Sequence, residues 1–128
     1  MHQKISWAYF FILLSVSFLN YIPGVRDTEG LVFGIFALDL YDDALHLASA
    51  IWAGFATWKS AQAAKLFLSI FGFLYLLDGL LGLVTGSGYL DLGILNNGVL
   101  DLDFTFKLLA NLPHIALGAV AVIFGVRR

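Results

Sequence analysis

Cysteine is absent from the chain. This excludes disulfides, thiolate chemistry, thiolate-bound zinc and iron–sulfur clusters. Proline is scarce, with only Pro23 and Pro113, so long helices are permitted almost everywhere. Charge is scarce too. Charged residues make up 12% of the chain, against roughly 25% in an average soluble domain. The net charge is −2 and no stretch concentrates Lys and Arg, so nucleic acid is not expected as a partner. The sequence contains no phosphate-binding loop, nucleophile elbow, zinc-protease motif or GxGxxG. Ser15, Ser17 and Ser69 have no nearby base and read as helix-packing residues. The chain is therefore expected not to be an enzyme.

What the sequence has in excess is apolar surface. Hydrophobic residues reach 60% and mean hydropathy is +0.88 over 128 residues. A helix needs about 20 apolar residues to cross a ~30 Å hydrocarbon core. Four runs approach that length: residues 5–22, 42–58, 66–84 and 108–126. The first is too long for a typical signal-peptide core and lacks a small-x-small cleavage site, so it reads as a retained helix. Asp42 and Asp43 head the second run, where a helix macrodipole favours negative charge. Pro113 falls within the first turns of the fourth run as bounded here, where its cost is smallest. The expected fold is all-α, a single-domain integral membrane four-helix bundle with long outer loops.

Orientation follows from the basic residues beside the spans. With the N-terminus inside, the inner segments hold Lys4, Lys59, Lys65, Arg127 and Arg128, and the outer loops hold Arg26 and Lys107. Both termini are then cytoplasmic. Every acid except Asp78 falls outside. Trp7 and Trp58 would mark the inner interface, and Tyr21, Tyr41 and Tyr89 the outer one. Residues 59–65 read as a tight inner hairpin. The outer loops, 23–43 and 85–107, each carry an apolar stretch expected to fold onto the outer membrane surface.

The chain also reads as two copies of one unit: a span, a long outer loop, and a second span headed by a polar-x-x-His signature. The copies are Asp43-x-x-His46 and Asn111-x-x-His114, each leading an apolar helix rich in Ala and Gly. Both units start inside, so the repeat would be parallel, about an axis along the membrane normal. At Phe33-Gly-Ile-Phe-Ala-Leu-Asp39, Leu45-His46-Leu47 and Asn111-x-x-His114-x-x-x-Gly118, the sequence resembles the DUF4383 family of small bacterial four-helix membrane proteins. The resemblance implies a bacterial inner-membrane location and this topology. That family has no assigned function, so the resemblance implies no chemistry.

Ionisable groups within spans are costly and invite a functional reading. Counting from the outer ends at about 1.5 Å per residue, His46 lies about 5 Å deep, Asp78 and His114 about 9 Å, and Asn20 about 3 Å. Each helix thus contributes one polar residue to one outer-leaflet layer. On the second helix His46 shares a stripe with Ala50, Ala53, Gly54 and Thr57. On the fourth, Asn111, His114, Gly118, Ala121 and Gly125 do the same. The candidate site is His46, His114, Asp78, Asn111, Asn20 and Asp43, with Asp78 paired to one of the histidines. Three readings follow. In the first, these groups hold helices together in a structural or accessory protein that binds no cofactor and whose partners are membrane lipids, a second copy or other membrane subunits. In the second, His46 and His114 ligate haem b or a divalent metal ion. In the third, the layer serves a small transporter or proton-transfer protein. His2 reads as a solvated terminal residue.

Overall fold

The computed structural model describes residues 1–24, 27–28, 40–86, 94–95, 98–99 and 103–127. The apolar stretches of both expected outer loops fall almost wholly outside these residues. Among the described residues the protein is all-helical, with four long helices and no strand. Helix α1 spans His2–Phe18 and ends in a 3-10 turn, Leu19–Tyr21. Helix α2 spans Leu40–Lys59, α3 Ala61–Thr85 and α4 Phe104–Gly125.

Each helix starts ahead of its apolar run, and α1 and α4 end short of theirs, at Phe18 and Gly125. Residues 59–65 were expected to form the inner hairpin, yet the turn is a single residue. Ser60 adopts an extended conformation, φ −173°, and its side chain accepts a hydrogen bond from the Ala63 amide at 3.0 Å. This is N-cap chemistry, and the Ala-Gln-Ala-Ala-Lys that follows is strongly helix-forming. At the other end of α3, Gly86 takes the left-handed conformation, φ 82°, and its amide bonds back to the Gly82 carbonyl. Helix α4 starts behind Asp103, four residues before the apolar run. Pro113 therefore lies inside the helix and not in its first turns. It offers no N–H to the Leu109 carbonyl one turn back.

The four helices run alternately up and down. Gln3 Nε2 donates to the Thr57 carbonyl (3.0 Å) and Ser6 Oγ to the Ala53 carbonyl (3.3 Å), fixing α1 antiparallel to α2. Helices α3 and α4 pack backbone to backbone on Gly72, Gly79, Gly118 and Gly125. A Cβ on Gly118 would lie 2.8 Å from the Gly72 carbonyl oxygen, and one on Gly125 2.6 Å from the Ser69 amide. Small residues permit this approach. Helices α1 and α4 are braced by Tyr9, whose hydroxyl donates to the Leu117 carbonyl at 2.5 Å, and by His2. Contrary to the reading of His2 as merely solvated, its Nε2 contacts the Phe124 and Arg127 carbonyls at 3.0 and 3.1 Å. Both partners accept, so Nε2 carries the proton. The last carbonyls of a helix are natural acceptors for such a side chain.

The interior combines small and polar side chains with aromatic rings and two leucines, Leu13 and Leu68. Ser6, Ala50, Ala53, Ala64, Thr57 and Ala121 are buried beside a column of rings on α3, with Phe67 to Phe71 at 4.9 Å and Phe71 to Tyr75 at 4.0 Å. Large aliphatic and aromatic side chains also cover the outside: Phe11, Ile51, Phe55, Phe73, Val84 and Ile123 are all exposed. Lys4, Lys59, Lys65 and Arg127 gather at one end of the bundle, and Asp42, Asp43, Asp103 and Lys107 at the other. Helices α3 and α4 are long and apolar enough to cross a membrane. Helix α1, at 17 residues, and α2, with two acids in its first turn, fall short of that measure.

Candidate functional site

The helical stripes named from spacing face inward. On α2, His46, Ala50, Ala53 and Thr57 are buried. On α4, Gly118, Ala121 and Gly125 are buried, and Asn111 and His114 lie at the margin. These faces meet α3 where it presents Tyr75 and Asp78, one helical turn apart and both buried.

His114 and Asp78 are in direct contact, with Nδ1 and Oδ2 2.5 Å apart. The ring N–H donates to the carboxylate, so Nδ1 carries a proton and Nε2 is the free second position. The carboxylate side is the more enclosed: the Asp78 side chain is 4% exposed and that of His114 is 20%. Tyr75 packs its ring 4.7 Å from the His114 ring and 6.4 Å from that of His46. The two imidazoles stand 5.9 Å apart, nearly perpendicular. Asp78, His114, Tyr75 and His46 therefore form one cluster contributed by three helices.

The other candidates are placed differently. Asn111 does not reach the pair. It donates to the Lys107 carbonyl of its own helix at 2.8 Å, and its side chain lies directly over Gly82. Any side chain at position 82 would collide with it. Asp43 is buried one turn outward of His46. Asn20 sits in the 3-10 turn that ends α1; its side chain lies outside what the structure describes. Asp42, which spacing did not single out, is buried beside Asp43.

Tyr75 is the main cluster member outside the candidate set read from the sequence. Its signal was available: it follows Phe71 by four residues and precedes Asp78 by three, so it continues the ring column and stands beside the carboxylate. Tyr9 gave no such signal, because its hydroxyl bonds to a backbone carbonyl on a helix far away in sequence.

Among the described residues no three His, Asp or Glu side chains converge on a point where one ion could be held. The Tyr75 ring packs beside both imidazoles. No family model matches the chain, and no curated protein or solved structure matches it.

Proposed function

We propose that this is a small multi-pass membrane protein of structural or accessory type. All four helices cross the bilayer, both termini are cytoplasmic, and the two hairpins, α1–α2 and α3–α4, are parallel repeats. One observation carries the membrane reading: small and polar residues take up much of the interior, while large apolar side chains cover the outside of all four helices. A water-soluble bundle requires the opposite, because exposed apolar area beyond a few hundred Å² is rare on soluble monomers. In a bilayer there is no hydrophobic drive between helices, and small residues and interhelical hydrogen bonds take over the packing. The same argument extends to α1 and α2, whose outward faces carry Phe11, Ile12, Ile51 and Phe55. The basic end of the bundle becomes the cytoplasmic end. The DUF4383 relationship is proposed on its short motif alone.

In this reading the Asp78–His114 pair and the rings around it serve as an interhelical clamp among α2, α3 and α4. The aromatic packing of Tyr75 against both imidazoles supports the clamp over a ligand-binding role. A specific observation favours a second reading: His114 Nε2 is left available by the bond at Nδ1, and His46 lies one ring away. This is the arrangement of a metal ligand oriented by a carboxylate, or of a short proton relay.

Two measurements test these statements. A cysteine introduced at Asp103 is expected to react with an impermeant thiol reagent applied to intact cells, and one at Gln62 only after the membrane is opened. The opposite pattern would overturn the orientation. The purified protein is expected to be colourless and free of stoichiometric transition metal. A Soret band or bound metal that disappears in His46→Ala would replace the clamp with the ligand-binding reading.

A further inference from the structure

Helices α1 and α4 are braced at two polar contacts, Tyr9 to Leu117 and His2 to Phe124. Between and around these contacts they stand apart. The gap is a groove of about 430 Å³, lined by Lys4, Ala8 and Ile12 of α1 and by Ala116 and Val120 of α4. That volume is within the roughly 300–1,000 Å³ typical of small-ligand sites. Ala8 and Ala116 leave it open because neither has more than a methyl group to fill it. From Lys4 to Ile12 it runs about 12 Å along the helix. Its wall is apolar except at one end.

That end is basic. Lys4, an exposed residue, lines the groove there. Arg127 lies at the same end of the α1–α4 pair, where its guanidinium sits 5.2 Å from the Phe124 ring and its carbonyl accepts from His2. An apolar slot about 12 Å long, with Lys4 lining one end and Arg127 at that same end of the helix pair, matches an amphiphile with one anionic head and an extended hydrocarbon tail. We propose that the groove between α1 and α4 binds one anionic phospholipid, with an acyl chain along Ala8 and Ala116 and the phosphate at Lys4 and Arg127. The proposal rests on the membrane reading, since it takes the basic end to lie at the headgroup level. Selectivity comes from the head. Lipid tails are as apolar as the groove wall and supply no preference among phospholipids, whereas each basic residue near a membrane surface favours an anionic head by about fivefold.

The test is native mass spectrometry of the full chain from mixed micelles containing equal phosphatidylglycerol and phosphatidylcholine with identical acyl chains. The wild-type protein is expected to retain one lipid, with phosphatidylglycerol preferred more than fivefold. Lys4→Gln should lower that preference about fivefold and leave phosphatidylcholine retention unchanged. Ala116→Phe, which places a ring in the groove from an outward-facing position, should abolish retention of both. An unchanged preference in Lys4→Gln, or undiminished retention in Ala116→Phe, overturns the groove as the site. So does a shift to dimer in Ala116→Phe without loss of lipid. Extraction of native membranes with alkaline carbonate separates this failure from that of the underlying reading. Release of the protein without detergent would refute membrane integration, while a carbonate-resistant protein with no anionic preference refutes only the groove.

Discussion

Gly118→Leu will part α3 from α4 and cause the largest stability loss of any single change in the small-residue seam. A Cβ at position 118 would lie 2.8 Å from both the Gly72 carbonyl oxygen and the Leu76 Cα. These are backbone atoms, which cannot rotate away as a side-chain tip would. Leucine adds three further carbons beyond that Cβ. Overpacking a filled interior costs typically 1–3 kcal/mol, and more where the obstacle is rigid, so a loss of about 3 kcal/mol is expected. Gly118 also lies one turn from His114, so separation of the helices there pulls the imidazole from Asp78. Thermal unfolding in detergent measures the effect. Val120→Leu, at an outward position two residues away, is the control and should change little. Equal melting temperatures for the two variants would remove the glycine seam from the account of how this bundle holds together.

The seam was partly legible in the sequence. In a soluble helix apolar residues mark the buried face. Here nearly every position is apolar, so the contrast is carried by the small and polar residues. Gly118, Ala121 and Gly125 on α4, and Ala50, Ala53 and Thr57 on α2, were assigned to the contact face on that ground, and they are buried. Spacing identifies a face but not the partner opposite it. It left open which histidine meets Asp78, and it could not show that Tyr75 packs beside both imidazoles. Helix ends were less legible, since apolar runs locate a hydrocarbon core while propensity and caps decide where a helix stops. Ser60 and the alanines after it reduced an expected loop to one residue. The start of α4 at Phe104 moved Pro113 from a tolerated early position into the helix interior. The contact of His2 depends on the two chain ends meeting, and no local pattern encodes that.

Removal of His114 will cost more than removal of the charge on Asp78, because the two partners are not equally enclosed. His114→Ala leaves a carboxylate, 4% exposed, without its imidazole donor. Asp78→Asn leaves a ring that is 20% exposed and keeps an oxygen able to accept from Nδ1. Breaking a buried charged pair from one side costs about 3–5 kcal/mol in soluble proteins. Interhelical hydrogen bonds in a membrane average only about 0.6 kcal/mol and reach about 1.7, since separated helices find other partners. Asp78 belongs near the top of that second range: its acceptor is a carboxylate, which bonds more strongly than a carbonyl, and the ring of Tyr75, one turn away, packs against its partner. The expected losses are about 2 kcal/mol for His114→Ala and about 1 kcal/mol for Asp78→Asn, by analogy with the membrane range. A double-mutant cycle with Asp78→Ala and His114→Ala should give a coupling of about 1.5 kcal/mol. The paired apolar replacement, Asp78→Leu with His114→Leu, should be less harmful than His114→Ala alone, because it removes both partners of the contact together. A coupling below about 0.5 kcal/mol would mean that the contact holds nothing together. The clamp would then give way to the reading in which Asp78 orients His114 for a ligand or a proton. That reading predicts an Asp78→Asn protein that melts normally and has lost whatever the parent binds.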